Sequence, residues 1–561
     1  MTLTSERAEY RVCPVTQFKV DLQSEALIKV NAVAAVVALT IGGIAAILIA
    51  LTRWEAVGLL PPEWFYRLLT VHGTNMLIFW IVFFEMAGLY FGATILLDAR
   101  LPKPAVGWLA FGLMVVGALF VEITALTGNS TVMFTAYEPL GSNEASPLFY
   151  LGLILFAVGA LVAVGLFFAT VVMARVEKTY EGSLPLVTYG LVVAAIIATY
   201  TLLSGAVALV PPFLRTIGII EHVDPAFYRN FFWSFGHPAQ QINLAAMVAI
   251  WYAMGVMTVG GSPVSEKLSR FAFILYVLFI NLGSAHHLLV DPGLSFGFKT
   301  FNTSYGMYLA VLGSMIHAFS IPAMLEVAQR RRGFTNGLFE WLRKLPWREP
   351  GFAALAVSMF VFGWIGGVTG VTMGTEQIDM VAHNTLRVPG HFHAAVVGGT
   401  TLAFMGFTYY VIPLVFRKRV KFLKLATWQP YLFGLGISLV AVGMITAGIQ
   451  GVPRRTADID VVREVPGTVH LSLAVVGIGA LIAFTALCMY LAVVLASVFT
   501  GPRVEATSLA LVQPMEPVPA AAEGSHVAPK GTFVIVLVFL AFFAAFYLAN
   551  WWMLGRTWFV S

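Results

Sequence analysis

Thirteen apolar runs, each long enough to cross a bilayer, leave this chain almost no choice of environment. They begin near Val30, Leu69, Val106, Leu148, Leu184, Phe231, Phe271, Thr303, Phe352, Asn384, Trp428, Val469 and Thr532. Only 11% of the 561 residues are charged against 59% hydrophobic, and the mean hydropathy is +0.85. Charge this sparse cannot coat a soluble globule of this size, and lipid-embedded backbone must satisfy its own hydrogen bonds. The expectation is an all-α, polytopic membrane protein with about 13 transmembrane helices.

The net charge of +5 does not point to nucleic acid, because the basic residues sit in short loops between apolar runs. With the N-terminus placed in the cytoplasm, roughly 23 of the 33 Lys and Arg fall on that side, including Arg330 to Arg332 and the Arg417 to Lys424 cluster. This asymmetry predicts a multi-pass protein of the cell inner membrane with a cytoplasmic N-terminus. Residues 1–29 read as a cytoplasmic arm with no cleavable signal, followed by an uncleaved first helix. The Pro- and Ala-rich stretch 501–531 reads as a cytoplasmic linker before the last helix, so residues 1–561 form one transmembrane catalytic domain. With only Cys13 and Cys488, neither a disulfide framework nor a thiolate metal site is available.

Histidine carries the chemistry here. Eleven are present, several within or at the ends of predicted helices, where an unpartnered polar side chain is costly. A single one would read as a neutral imidazole bonded across helices; the clustering argues otherwise. His391 and His393 are two apart, so on an α-helix they point to nearly opposite faces, and one helix can serve two planar cofactors. His237 and the adjacent His286 and His287 supply three imidazoles for a copper or iron ion, and His72 lies where it can be the far axial ligand of one haem.

The motifs Trp233-Ser-Phe-Gly-His-Pro238, His286-His287 with Asp291-Pro-Gly293, His383-Asn384-Thr385, Val388-Pro-Gly-His-Phe-His393 and Val452-Pro-Arg-Arg455 occur in one order along essentially the whole chain. In this the chain resembles the haem-copper oxidoreductase superfamily, catalytic subunit I, most closely the B-type oxidases. The resemblance implies that His72 and His393 ligate a low-spin haem of b type and that His391 is the proximal ligand of a high-spin haem of a or b type. It implies further that His237, His286 and His287 hold the second metal, a copper (CuB) or alternatively an iron (FeB). Arg454 and Arg455 would bind haem propionates as charge-assisted forks, with Asp379 and His383 near the high-spin propionates. Trp233 and Phe392 are expected only to pack, and His222, His470 and His526 to be loop or helix-end residues, His470 within possible reach of a propionate. Tyr252 and Thr303 resemble positions on an inward proton path.

One departure from the family pattern bears on function. In oxygen-reducing members of the A and B branches a tyrosine stands four residues after the first metal-binding histidine and is bonded to that imidazole; here the position is Gln241. In the C branch the tyrosine comes from the next helix, where this chain aligns Ile280. Cleaving dioxygen cleanly takes four electrons, and with iron supplying two and copper one, the tyrosine supplies the fourth. Glutamine cannot. Coupling two nitric oxides to nitrous oxide and water needs only two. Nitric oxide reductases of the superfamily add a glutamate to the three histidines, and no glutamate occupies the matching turn here, so copper is expected as the second metal.

The expected function is therefore a respiratory nitric oxide reductase on a B-type oxidase scaffold, the alternative being a terminal oxygen reductase with an absent or displaced tyrosine, Tyr276 for example. A gas sensor or transporter would not need six matching ligands. Gln241 is expected to contact bound nitric oxide, Glu122 and His317 to handle protons, and Glu85 and Glu122 are the carboxylates to consider if the metal is iron. Lacking an extramembrane domain, the chain calls for an electron-donating second subunit, with a CuA centre or a cytochrome c domain, fed by cytochrome c or another donor.

Overall fold

The computed structural model describes residues 10–14, 16–279, 286–457, 466–505, 518–519 and 527–557. Its membrane helices are α1 (Leu22–Arg53), α2 (Pro62–Ile95), α3 (Pro104–Leu126), α4 (Pro147–Val176), α5 (Leu186–Thr216) and α6 (Pro225–Val259). They continue with α7 (Glu266–Phe279), α8 (Phe296–Arg331), α9 (Pro350–Met373), α10 (Arg387–Val415), α11 (Leu423–Ile449), α12 (Gly467–Thr500) and α13 (Lys530–Arg556). Twelve are long and apolar enough to span a bilayer; α7, begun where a seventh span was expected, has 14 described residues. A short hairpin, β1 (Tyr10–Val12) antiparallel to β2 (Lys19–Asp21), precedes α1.

The starts are written into the sequence. Pro at the first turn opens α2, α3, α4, α6 and α9, where its missing N–H costs nothing. Asp21, Ser146, Asp224 and Glu349 cap α1, α4, α6 and α9 by accepting from a first-turn N–H. Packing between helices relies on small residues, as expected where apolar burial alone gives helices no preference for one another over lipid. Gly117 on α3 and Gly152 on α4 let the two backbones touch, since a Cβ on Gly117 would lie 2.4 Å from the Gly152 carbonyl oxygen.

Several helices pass through π-helical stretches, at Asn75–Phe79, Phe91–Ile95, Asn302–Gly306, Val361–Gly367 and His393–Thr401. Such insertions shift the face of everything downstream by about one residue and gather at functional sites. Two of them begin at or just after the histidines His72 and His393. A continuous core of aromatic and aliphatic side chains, centred on residues such as Trp80, Phe84 and Phe404, holds α2, α6 and α10 in fixed relation.

Candidate active site

Two half-buried histidines face each other from α2 and α10. His72 Nδ1 lies 3.0 Å from the Gly42 carbonyl oxygen and His393 Nδ1 2.7 Å from that of Pro389. A carbonyl can only accept, so each ring donates from Nδ1 and keeps an unprotonated Nε2 for a metal. The ring centres stand 6.1 Å apart with planes within 16° of parallel. Two imidazole–metal bonds of about 2 Å each, plus the inner half of each ring, account for that gap. The pair thus fits the iron of a six-coordinate haem, and the cavity they line also contains Arg53, Arg454 and Arg455.

On the other side of the same turn of α10, His391 Nδ1 sits 2.9 Å from the Gly366 carbonyl oxygen and 3.3 Å from Thr369 Oγ1. Its ring rests directly on α9 because residue 370 is glycine: a Cβ there would come within 2.5 Å of His391 Cε1. His391 shares a cavity with His237, Gln241, His286 and Ser314. The opposite orientation of His391 and His393, expected from helical geometry, is what α10 presents.

His237 on α6 meets His286 and His287 from the turn before α8, and the ligand atoms of all three lie within 4.8 Å of one another. His237 turns Nδ1 toward His287 Nε2 (3.1 Å) and Nε2 toward the Gln241 amide nitrogen (2.9 Å). Trp233, expected only to pack, stacks flat on His287 at 3.8 Å and donates from Nε1 to the Tyr137 hydroxyl (2.8 Å), so it fixes a ligand's plane. Three converging neutral nitrogens suit a soft or borderline divalent or cuprous ion. Among the described residues this is the group of histidines, cysteines and carboxylates placed to hold a metal, and no carboxylate belongs to it.

The loops after α9 and α11 pair through a bridge between Thr385 and Pro453 and through Arg454 N–H donating to the Asn384 carbonyl (2.9 Å). This joins Arg454 and Arg455 to Asp379 and His383, which are 3.5 Å apart. Burial and the like charge of Arg455 pull the pKa of Arg454 down to about 10, and burial raises that of Asp379. A buried pair of guanidiniums, with Arg454 Nε unpartnered, fits anionic groups such as propionates. Arg455 also packs over Tyr137, as does Arg229, which is paired with Asp291.

The remaining candidates divide. His317 is buried on α8; Tyr252 bonds both to its Nδ1 (3.0 Å) and to Ser269 (2.9 Å). The Tyr276 hydroxyl meets Ser314, which lines the cavity (3.1 Å). Thr303 bonds the Lys299 carbonyl on its own helix instead of joining this group. Glu122 accepts from Asn75 (2.6 Å), and Glu85 from Asn243 (2.7 Å); neither belongs to the histidine cluster. His470 pairs with Glu55 (2.5 Å), and His222 is an exposed loop residue, while His526 and Ile280 lie outside the described residues. Sequence reasoning missed Gly370, Tyr137, Ser314 and Arg53, whose parts depend on contacts between distant segments.

Comparison with known proteins agrees with this geometry. The family described as cytochrome c and quinol oxidase polypeptide I matches residues 26–482. Cytochrome c oxidase subunit 1 of Thermus thermophilus is 34% identical over 399 residues, 70% of this chain and 69% of that protein. Cytochrome c oxidase polypeptide 1 of Halobacterium salinarum is 28% identical over 427 residues, 71% of this chain and 66% of its own length. Quinol oxidase subunit 1 of Bacillus subtilis is 27% identical over 413 residues, 71% and 60% respectively. A solved structure of a heme-copper terminal oxidase dimer superposes with a TM-score of 0.81 at 25% identity, covering 95% of this chain and 92% of that one.

Proposed function

This chain belongs to the family of cytochrome c and quinol oxidase subunits I, multi-pass oxidoreductases with haems and a metal at a binuclear site, and we propose that it reduces nitric oxide. The observation that carries the proposal is the group on His237 Nε2. A carboxamide, Gln241, stands there at 2.9 Å, and a carboxamide cannot be oxidised by one electron as a phenol can. The reaction that matches is 2 NO + 2 e⁻ + 2 H⁺ → N₂O + H₂O, which draws no electron from a side chain.

When bound, two haems and a second metal supply the electrons: the low-spin haem between His72 and His393, the high-spin haem on His391, and the metal on His237, His286 and His287. The protein's own part is to orient and to move protons. Backbone carbonyls fix the planes of His72, His391 and His393, and Trp233 fixes that of His287. Gln241 offers an amide dipole beside the gas cavity, where a placed donor stabilises developing charge on oxygen. Ser269, Tyr252 and His317 form one hydrogen-bonded segment of an inward proton path and Tyr276 with Ser314 another. Three imidazoles without a carboxylate favour copper as the second metal over iron. Asn75 donates to Oε1 of Glu122, while Oε2 is buried without a hydrogen-bond partner, so an interhelical hydrogen bond accounts for only half of this carboxylate and a proton-handling role stays open to it.

A second reading is terminal oxygen reduction, and the names of the relatives favour it over the first, since they are cytochrome c and quinol oxidases. Within the chain it has support from Tyr276, whose hydroxyl is one hydrogen bond from Ser314 on the cavity wall. In either case we infer an inner-membrane enzyme of one catalytic domain with its N-terminus in the cytoplasm, receiving electrons through a second subunit that bears CuA or a cytochrome c domain. Turnover of the purified complex with nitric oxide and with oxygen, under one artificial reductant, separates the readings. Efficient nitrous oxide formation with slow oxygen consumption is expected. Rapid reduction of oxygen to water with no nitrous oxide from nitric oxide would overturn the first reading, and a peptide map would then be expected to show a histidine cross-linked to a tyrosine.

A further inference from the structure

On the membrane face that carries the N-terminus, a cavity of about 510 Å³ opens between the β1–β2 hairpin, the ends of α1 and α10, and the segment after α12. Five of its lining residues are cations: Arg11, Lys29, Arg417, Lys418 and Arg503. None of its lining residues is an acid. Behind them stands Glu25, its side chain 2% exposed, and three of the five converge on it. Arg11 holds it in a two-pronged contact (2.9 and 3.1 Å), Lys29 at 3.1 Å, and Arg417 from Nε at 3.0 Å and from Nη2. One carboxylate thus faces three cations, while the Lys418 ammonium donates to the Gly501 carbonyl (3.1 Å) and Arg503 lies exposed at the rim.

The wall is built, not incidental. Lys418 and Arg503 sit opposite each other in an antiparallel bridge, flanked by Arg419 N–H to the Pro502 carbonyl (2.9 Å) and Val504 N–H to the Arg417 carbonyl (3.1 Å). Five cations around one buried carboxylate leave the wall with a surplus of positive charge, which favours the entry of an anion. The cavity is also amphipathic: Val12, Pro413, Phe416 and Val504 line it beside the cations. Lys29 lines it from α1, next to the start of the first apolar run near Val30, so the cavity lies at the foot of a membrane helix.

We propose that this pocket binds a phosphate-bearing anion, its oxygens on Lys418, Arg503 and Arg417 and its apolar part along Phe416 and Pro413. The chemistry is shared by an anionic phospholipid headgroup and a free polyphosphate, and the apolar side chains of Val12, Pro413, Phe416 and Val504 beside the cations favour the lipid. The pocket is separate from the haem and metal ligands, so this proposal stands whichever gas the enzyme reduces.

The test uses the detergent-purified complex, wild type and Lys418→Gln/Arg503→Gln, since neither side chain holds Glu25. Native mass spectrometry and ligand-induced thermal shifts are measured with short-chain phosphatidylglycerol, phosphatidylcholine of the same chain length, and inorganic pyrophosphate. Wild type is expected to bind phosphatidylglycerol in preference to phosphatidylcholine, and the double variant to bind it at least about tenfold more weakly with its haem spectrum unchanged. Saturable pyrophosphate binding lost in the variant, without any lipid preference, would assign the site to a free polyphosphate. Equal binding of the two lipids with no pyrophosphate binding, or wild-type affinity in the variant, would overturn the proposal. Should the double variant lose its haem spectrum, Arg503→Gln alone, at the exposed rim, gives the same comparison.

Discussion

His391 and His393 are separated by a single residue, and everything planar in the site follows from where their rings point. The His393 ring faces His72 across a gap of the size an iron would fill, while His391 faces α9 and the His237 cavity. Replacing His393 with Ala should remove the low-spin haem spectrum and leave the high-spin haem partly assembled; His391→Ala should do the converse. Two unaltered haems by optical and pyridine-haemochrome spectra in either variant would refute the assignment. Gly370 offers a subtler probe, because a Cβ there meets His391 Cε1 at 2.5 Å and the ring has α9 backbone behind it. Gly370→Ala should tilt that imidazole and reduce or shift the high-spin signal while sparing the low-spin one. The histidines were legible in the sequence because imidazole in lipid is costly unless used. Gly370, Tyr137 and Ser314 were not, because glycine, tyrosine and serine are ordinary in membrane helices and only the approach of a second helix gives them a task.

Among the elements, α6 carries the most function: Trp233, His237, Gln241 and Tyr252 all project from it. His237 and Gln241, four apart, share a face of that helix, as the sequence implied. The helices themselves were legible from apolar length, and twelve of the thirteen expected runs appear as full spans, α7 having 14 described residues. What period counting could not give is the π-helical stretches, since an extra residue in a turn leaves composition unchanged while rotating the face beyond it. Thr303 lies at such a place, in the Asn302–Gly306 stretch, with its hydroxyl bonded to the Lys299 carbonyl and outside the hydrogen-bonded group of Tyr252 and His317. For the metal, loss of any one of His237, His286 and His287 to Ala should empty the second site, because three nitrogens are all the ligands the described residues offer. Elemental analysis should find one copper beyond any in a CuA partner, lost in each variant with both haems retained. One non-haem iron in its place would refute copper without touching the substrate assignment and would turn attention to Glu122 and Glu85.

At the scale of the whole molecule, the site lies toward one end of its helices. His237 lies twelve residues into α6, about 18 Å from the end where the helix begins at Pro225, and Tyr252 lies fifteen residues further, about 22 Å deeper. The second end of α6 is on the side of the N-terminal arm and of the basic Arg330 and Arg417 loops. Protons used at the cavity therefore have two sources: the nearer face, past Arg454 and Arg455 in the loop after α11 and Arg229 at the start of α6, or the farther face, through Ser269, Tyr252 and His317. A guanidinium stays protonated and cannot take up and pass on a proton, whereas the longer route offers hydroxyls and an imidazole that can relay them. The longer route should carry the flux. With the complex reconstituted in vesicles, turnover should consume protons from the side bearing the N-terminus. Tyr252→Phe should slow steady-state turnover by about a hundredfold, the low end of what a positioned proton-transfer group contributes. Haem and metal content should stay intact, because Tyr252 contacts Ser269 and His317 and none of the ligands. Proton uptake from the opposite side, or a Tyr252→Phe enzyme of undiminished rate, would place the path along the arginine face instead.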